Sequence, residues 1–349
     1  MQPKTPQAFD SYTRGLGSWL GYNRDIKNEK VFYPPERQQS SYTTVAEKAD
    51  FLKKVNHVPV NAQRGGHVGM GINTPIASRT DTDVEDRKTR YVGNVTGDEY
   101  DATQTNYDTH TKYSVLDAWA HLNLFHQSYG DHLNLQIARD QLMIGFNGTH
   151  AAKTSDFATN PLLQDVNVGW LEKTRQVEPK RIMGHDSTGL ATTDTWKLGE
   201  GGQYRSFDAL VFDLITNLLD VWHQGADDLM VLVGRDVWLS HGMILLGSSN
   251  LPTERAALQS WFAAQTVAGL PCVMPPFFPN RGVWVTSYSN LSVYHQLGTM
   301  RRFIFDNAKR DQVEEYRSEN LAYVVEDYGK IAGVRNGALL LPDGAGGWA

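Results

Sequence analysis

The chain has 349 residues, 40% hydrophobic and 21% charged, which is enough apolar sequence for one large domain or two medium ones. Its formal net charge of -6 argues against a dedicated nucleic-acid-binding protein, because phosphate contacts require clustered Lys and Arg. Cys272 is the only cysteine, which excludes an intrachain disulfide and a zinc site built from cysteines. No signal-peptide pattern and no apolar run of roughly 18 residues occurs, so we expect a cytoplasmic protein that does not enter a membrane.

The first 42 residues are rich in proline, glutamine, serine, lysine and arginine. Their scattered apolar residues predict one short amphipathic helix within an arm. These residues are Phe9, Tyr12, Leu16, Trp19 and Leu20. The arm ends at Pro34 and Pro35, because proline does not continue a helix. Nothing in this pattern requires the arm to dock on the core of its own chain.

Residues 61–111 form a long polar stretch with repeated glycine, threonine, asparagine, aspartate and arginine. Apolar residues are limited to thin alternations, such as Tyr91 with Val95. A compact domain rarely contains so long a polar stretch unless it is a functional loop or hairpin, so we expect this one to project. The glycines of GGHVGMG, residues 65–71, fit neither a phosphate-binding nor a dinucleotide-binding fingerprint, and we interpret them as a hinge.

Residues 114–147 have the pattern of one helix or a kinked helix pair, about 50 Å long. Ser114 and Asp117 fit a capping box at its start, Asp131 fits a second cap, and Gly148 fits the end. The apolar residues between these caps recur at steps of three and four. They are Val115, Leu116, Trp119, Leu122, Phe125, Leu135, Ala138, Leu142 and Phe146. We therefore expect a long spine helix.

Helix and strand patterns alternate between residues 200 and 285, which predicts an α/β subdomain. Ser206 caps a predicted helix whose apolar stripe extends to Val221 and Trp222, residues 229–234 predict a buried strand, and residues 252–270 predict another helix. From residue 283 to 325, apolar residues alternate in short runs separated by turns, which is typical of an antiparallel sheet. The fold class is therefore α+β.

The residue types that carry chemistry do not form a recognisable site. His121, His126 and His132 share a predicted helix, but spacings of five and six do not place two imidazoles on one face for a metal. The GHDSTG stretch at residues 184–189 lacks the strand-to-helix elbow of a serine nucleophile. We assign no catalytic, cofactor-binding or metal-binding residue, and we expect a protein that is not an enzyme and needs no cofactor.

Charged residues fit an ordinary solvated surface. The carboxylate pairs at 227–228, 314–315 and 326–327 lie at predicted element ends, and general acid or base work by them stays open. Arg301 and Arg302 are interpreted as solvated strand ends, or as partners for a neighbour's acids, rather than as a basic strip. Folded domains, a projection and an arm without a site are the profile of a protein whose partners are copies of itself.

Several motifs together resemble the major capsid proteins of P2-like tailed bacteriophages. They are DFLKKVNHVPV (50–60), GINTPIASRTDT (71–82), SVLDAWA (114–120), GFNGTHAAKTSD (145–156), TSDFATNPLLQDVNVGWLEK (154–173) and SENLAYVVEDYGK (318–330). The similarity extends from about residue 50 to residue 335 with the motifs in order, whereas the first 45 residues match only in character. Within this resemblance, residues 154–173 look like a connection from the spine helix, anchored by Trp170.

The resemblance implies an HK97-like fold, and its parts map onto the predicted elements. The N-terminal arm is residues 1–60 and the E-loop is residues 61–112. The peripheral domain is residues 113–199, with the spine helix, and residues 286–337, with the long antiparallel strands. The axial α/β domain is residues 200–285, and residues 338–349 are a C-terminal tail.

The resemblance also implies a function. The chain is expected to assemble with copies of itself, as hexamers and pentamers, into the icosahedral head shell of a virion that encloses double-stranded DNA. Assembly is expected in the host cytoplasm around a scaffolding protein and with a portal protein. A prohead protease is expected to remove about the first 30 residues by a cut near Val31 and Phe32. Contact with the packaged DNA is expected to be loose, because the subunit is acidic.

The E-loop is expected to reach over a neighbouring subunit. Tyr91, Val95 and Tyr100 are its predicted apolar anchors, since alternating apolar side chains on a polar hairpin have no core of their own; packing within the hairpin is the alternative. Two other functions stay open. One is the shell protein of an encapsulin-type nanocompartment, and the other is a hydrolase whose site the patterns do not reveal.

Overall fold

The computed structural model describes residues 4–67, 77–87, 89, 98–119, 125–247, 264–343 and 347–348. The helices in these ranges are α1 (Lys4–Trp19), α2 (Pro35–Ala46), α3 (Tyr113–Trp119), α4 (Phe125–Asn147), α5 (Trp170–Val177), α6 (Phe207–Asp213) and α7 (Arg235–Gly247). The strands are β1 (Lys30–Phe32), β2 (Asn56–Val60), β3 (Arg64–His67), β4 (Asp98–Asp101), β5 (Thr103–Asn106), β6 (Thr109–Lys112), β7 (Ile182–Met183), β8 (Trp196–Lys197), β9 (Met230–Val233), β10 (Thr266–Val267), β11 (Leu270–Val273), β12 (Val283–Thr286), β13 (Leu291–Gln296), β14 (Arg301–Asn307), β15 (Gln312–Val325), β16 (Ala332–Val334) and β17 (Leu339–Leu340). Helices combined with two larger sheets confirm the predicted α+β class.

The larger sheet is built around β15, a strand of 14 residues. Its path runs β1-β14-β15-β13-β2, with β5 and β6 also paired to β15. The β13, β14 and β15 strands are mutually antiparallel where they pair, as the alternating sequence predicts, and β2 joins β13 in parallel. Residues 103–112 of the predicted E-loop therefore supply two strands to this sheet.

The predicted spine is present as α3 and α4, with residues 120–124 between them outside the described residues. Ala138, Leu142 and Phe146 of the predicted stripe are buried, at most 3% exposed. They pack with Leu321 and Tyr323 of β15 in the main core. Because these side chains lie four residues apart, one face of α4 covers one face of the sheet.

A second sheet has the order β10-β11-β9-β12-β16-β7, and it combines strands from the predicted axial residues 200–285 with β7 and β16, which lie outside that range. Its β9 strand corresponds to the predicted buried strand at 229–234, and all four of its residues are buried. The predicted helix after Ser206 begins as expected, since the Ser206 Oγ accepts a hydrogen bond from the Ala209 N–H at 3.2 Å. A second core on this sheet includes Phe207, Leu210 and Val231.

Two axial predictions are wrong in part. The α6 helix ends at Asp213 and a π-helical turn ends at Leu218, so Val221 and Trp222 leave the predicted stripe and are 77% and 52% exposed. The Gln224 side-chain amide donates to the Leu219 carbonyl at 3.2 Å, and this bond takes the place of continued helix.

The predicted helix at 252–270 falls largely outside the described residues. Its last part, from residue 264, is not helical, because β10 and β11 pair antiparallel there. Gly269 lies between these two strands at φ +78°, a conformation that glycine adopts without strain. The α7 helix, which begins two residues after β9, was not predicted.

The N-terminal arm docks on its own chain, which the sequence did not require. Phe9 of α1 is 4% exposed and packs with Leu116, Ile304 and Val313 at one end of the larger sheet. The Thr5 hydroxyl donates to the Asp117 carboxylate at 2.5 Å. The scattered apolar residues of the arm therefore have a binding surface on the chain that carries them.

Trp170 is the packing anchor that the sequence predicted. Its side chain is fully buried against Phe146 and Tyr323, with ring centroids 5.4 and 5.2 Å away. A Cβ at Gly145 would lie 2.4 Å from the Trp170 ring, so only glycine leaves room there. The indole N–H donates to the Ser292 carbonyl at 2.8 Å. Trp170 thus joins the spine helix to β13 and β15.

The Trp170→Phe substitution is expected to lower the free energy of unfolding by about 2 kcal/mol, because it removes the indole hydrogen bond to the Ser292 carbonyl and reduces packing. The matched control is Trp222→Phe, since Trp222 is 52% exposed and a surface change costs less than about 0.5 kcal/mol. Denaturant unfolding of the unassembled subunits measures both. Equal losses in the two variants would contradict the anchor role.

Candidate assembly surfaces

The predicted cleavage residues lie in β1, at one end of the larger sheet. Val31 pairs with Arg302 of β14 and is 1% exposed, whereas Phe32 is 48% exposed. Successive strand residues point to opposite faces, so Val31 packs inward and Phe32 points outward. The segment is extended but paired along one edge. Cleavage here stays a prediction.

The described part of the predicted E-loop has a two-stranded base. β3 and β4 pair antiparallel, with His67 opposite Asp98. Tyr91 and Val95 lie outside the described residues. Tyr100 is 9% exposed and its ring lies 5.1 Å from that of Tyr294 in the same chain, so it packs on its own sheet. Contact of these three residues with a neighbouring subunit stays a prediction.

Part of the larger sheet presents aromatic side chains outward. Phe303 stacks with Phe305 and with Tyr316, at centroid distances of 6.1 and 6.2 Å. Phe305 and Tyr316 are 37% and 43% exposed, and Phe32 of β1 is on the same face by strand alternation. Grouped exposed aromatic side chains mark an interaction surface more often than scattered ones do. The sequence analysis did not identify this face.

The opposite face of the same strands buries charge. Arg302 and Glu315 form an ion pair at 2.8 Å, with side chains 7% and 6% exposed. Arg302 also donates to the Tyr12 hydroxyl at 2.6 Å and to the Tyr33 hydroxyl at 3.4 Å. Burial raises the pKa of Tyr12, which keeps its hydroxyl neutral. Arg302 is therefore a buried partner of its own chain's Glu315, and the interpretation of it as a solvated strand end is wrong.

A second buried polar group joins β2, β13 and β15. The His57 Nδ1 lies 3.0 Å from the His295 Nε2, and the His57 Nε2 lies 3.0 Å from the Leu52 carbonyl. Because a carbonyl only accepts, the His57 Nε2 carries the proton and its Nδ1 accepts from His295. Glu319 is 1% exposed and its Oε2 lies 3.7 Å from the His295 Nδ1.

These surroundings shift two pKa values. Burial, and then the neighbouring His295, lower the pKa of His57 to about 4. Burial alone would raise the pKa of Glu319, but His295 and Arg317 outweigh it, and the pKa lies below the usual value. The folded chain therefore holds a neutral His57 beside an ionised Glu319.

Stability is expected to fall as the pH decreases from about 6.5 to about 4, because His57 takes up a proton more readily in the unfolded chain. The loss attributable to His57 is at most about 3 kcal/mol. Urea unfolding at several pH values measures it. Glu319 contributes a separate loss at lower pH, through its own depressed pKa.

The control for this prediction is His57→Asn, which keeps a side-chain hydrogen bond and removes the titration. The pH dependence between 6.5 and 4 should become flatter in this variant. An unchanged slope would show that other groups carry the acid sensitivity.

The other residues considered for chemistry hold local structure. Asp186 of the GHDSTG stretch accepts from the Thr188 and Leu190 N–H groups at 2.8 and 3.0 Å, which closes a turn. Asp228 binds Lys330 at 2.7 Å, and Asp327 lies 2.9 Å from His223. Among the residues described, no group of three or more His, Cys, Asp or Glu side chains is arranged to hold a metal ion.

In the described ranges, no helix combines the length and the apolar character needed to cross a bilayer.

Comparisons with known proteins agree on one family. The family described as "Phage major capsid protein, P2 family" matches residues 8–336. The chain is 35% identical to the capsid proteins of Escherichia phage P2 over 331 residues, which covers 94% of this chain and 93% of that one. It is 31% identical to the major capsid protein of Serratia phage KSP20, over 99% of this chain and 100% of the relative.

Solved structures extend the comparison. A chain of the satellite phage P4 procapsid that includes the size determination protein superposes with a TM-score of 0.78 at 33% identity. The match covers 98% of this chain and 99% of that one. The capsid of an empty GTA particle matches with a TM-score of 0.50 at 12% identity, over 82% of this chain and 89% of that one, which shows likeness of fold alone.

Proposed function

This chain belongs to the P2 family of phage major capsid proteins, and from that membership we propose how its surfaces build the shell. It is a phage capsid protein with an HK97-like fold, a virion component that assembles with copies of itself. We propose further that the shell is an icosahedral head, which is built of hexamers and pentamers and encloses double-stranded DNA. The observation that supports it is the family match over residues 8–336.

The alternative functions have less support. An encapsulin-type shell shares the fold, but both relatives are named as phage capsid proteins and match more than nine-tenths of this chain. A hydrolase is not favoured, because the family is one of structural proteins. The family match therefore favours a structural protein.

We propose that the residues between β3 and β4 form the E-loop contact with a neighbouring subunit. Tyr91 and Val95 are its anchors, and Tyr100 contributes at its base, where it supports β4 on the sheet through Tyr294. The described tip at residues 81–86 supports this role, because it contains four carboxylates and exposes Val84 by 81%. An apolar side chain among charges on a projection is suited to a contact outside its own chain.

Several modest contacts in each copy are sufficient for a durable shell. Once one contact has formed, the others become effectively intramolecular, so the closed assembly outlasts any single pair of subunits. The E-loop and the aromatic sheet face supply separate contacts. The net charge of -6 supports a loose contact with packaged DNA, because tight phosphate binding would need excess positive charge.

The proposed helper proteins are a scaffolding protein, a prohead protease and a portal protein. A cut near Val31 and Phe32 would remove α1 and with it Phe9 and Tyr12. The partners of Phe9 on the sheet would then lose their cover, and Arg302 would lose the Tyr12 hydroxyl as a hydrogen-bond acceptor. Cleavage would thereby change the exposed surface at one end of the larger sheet.

The test is expression of the full chain with the scaffolding protein of a P2-like phage. Electron microscopy and sedimentation are expected to show closed polyhedral shells. Adding the protease of that phage should shorten the shell protein by about 30 residues in an intact-mass measurement. A chain that stays small and soluble under these conditions would contradict the shell function, and shells whose protein keeps its full mass would contradict the proposed cut.

A further inference from the structure

The loop before β9 presents two apolar side chains, Val221 and Trp222, to solvent; together they are called the knob. They are 77% and 52% exposed. The loop is held firmly, because the Asp220 carboxylate pairs with Arg181 at 2.8 Å and its N–H donates to the Gly329 carbonyl at 3.0 Å. The adjacent His223 contacts Asp327 at 2.9 Å. A fixed apolar projection loses little entropy when it is bound.

A cavity of about 470 Å³ lies beyond the other end of β9 and is called the socket. Its apolar wall consists of Trp238, Leu239, Met274, Pro275, Pro276 and Phe278. Leu239 and Met274 are 49% and 40% exposed, so much of this wall faces solvent. A concave apolar site of this size suits an apolar side chain of a partner.

The knob and the socket lie at opposite ends of β9. The knob precedes Met230, and the socket follows Val233 and the parallel strand β11. Four strand residues span about 13 Å, so the knob does not fill the socket of its own chain. Charge is complementary as well, because Asp227 near the knob and Arg235 at the socket are both exposed.

We propose that the knob of one subunit enters the socket of the next, with Asp227 facing Arg235. The partner is a second copy of this chain, so the inference rests on the proposed shell function and specifies one of its contacts. Two different patches meet in this contact, which makes it heterologous. Repeated head to tail, such a contact closes into a ring when the rotation between neighbouring subunits is a whole fraction of a turn.

The test is a cysteine pair, Val221→Cys with Leu239→Cys, in the full chain assembled with scaffolding protein. Mild oxidation is expected to give a ladder of cross-linked species on a non-reducing gel. Each single variant should remain monomeric on that gel. Cys272 does not interfere, because it is 5% exposed and burial raises the pKa of its thiol to about 12.

The outcomes of the cross-linking distinguish the knob and socket contact from the proposed capsid function. Shells without a ladder in the double variant would overturn the knob and socket contact while leaving the capsid function intact. A dimer from Val221→Cys alone would also overturn it, since it would indicate a symmetric contact between two knobs. Absence of shells from the unmodified chain would instead overturn the proposed function itself.

Charge reversal gives an independent measurement. Asp227→Arg and Arg235→Asp are each expected to lower the yield of shells at least about tenfold, because like charges then face each other. The double reversal should restore the yield to within about twofold. Thermal unfolding of the subunits should be the same in all three variants. Failure of the double reversal to recover, with folding intact, would exclude this charge pair.

Discussion

Replacement of residues 68–97 by the two-residue turn Asn-Gly is expected to leave a folded subunit that forms no closed shell. His67 and Asp98 are paired across β3 and β4, so a two-residue hairpin turn can join them without moving either strand. The buried residues Tyr100 and Ala102 remain in place. The variant loses Tyr91, Val95 and the charged tip, and with them the proposed contact on a neighbouring subunit.

Electron microscopy and sedimentation of the variant with its scaffolding protein measure shell formation, and thermal unfolding checks the fold. A shorter replacement, of residues 77–87 alone by a Gly-Ser linker, keeps Tyr91 and Val95 but removes Val84 and the charged residues around it, so it separates the two parts of the proposed contact. We expect this variant to retain assembly if Tyr91 and Val95 carry the contact, and to lose it if Val84 does. Normal shells from the 68–97 replacement would refute the E-loop role.

Sequence patterns predicted the structure correctly where the distribution of apolar residues in a segment matches the burial of the element that it forms. Ala138, Leu142 and Phe146 lie at helical spacing and are buried as predicted. The run at 229–234 is apolar throughout and forms a strand with all four residues buried. The resemblance to the P2-like capsid proteins implied that Trp170 is an anchor, and its side chain is fully buried. In these segments, local propensity and tertiary packing favour the same structure.

Prediction failed where side chains from distant parts of the chain decide the local structure. The stripe through Val221 and Trp222 continues a helical spacing, but Arg181 donates to the Leu218 carbonyl and Gln224 to the Leu219 carbonyl, and the helix stops. The docking of α1 likewise depends on a surface made by α3, β14 and β15. Neither partner is visible in a local window of sequence.

The sequence alone could have placed several charged residues of β15 on its buried face, because successive residues of a strand alternate between its two faces. Glu315, Arg317 and Glu319 share their parity with Leu321 and Tyr323, so they point to the buried face. Their hydrogen-bonding and ion-pair partners come from β14, the helices and the arm. The sequence therefore shows which face of the strand these residues occupy. It does not show the partners that make the burial of their charges tolerable.

Arg302→Met is expected to lower the free energy of unfolding by about 3–5 kcal/mol, because it leaves Glu315 buried without its counter-charge. The 2.8 Å ion pair and the low exposure of both side chains place this pair inside the fold. Urea unfolding of the unassembled subunit is the appropriate measurement, since urea does not screen charges as a denaturing salt does. The matched control is Arg301→Met, on the opposite face, where a donated hydrogen bond to Gln104 at 2.8 Å is lost and the cost should stay below about 1 kcal/mol.

The double substitution Arg302→Met with Glu315→Leu distinguishes loss of the pair from loss of packing. Removal of both charges eliminates the uncompensated carboxylate, and apolar side chains of similar size fill the same space, so stability should return to within about 1 kcal/mol of the original. The coupling between the two sites would then be several times larger than for separate surface residues. If the double variant is instead as unstable as the sum of the single variants, the buried charges act through their separate packing. In that case Arg302 would hold the arm through Tyr12 and Tyr33 rather than through Glu315.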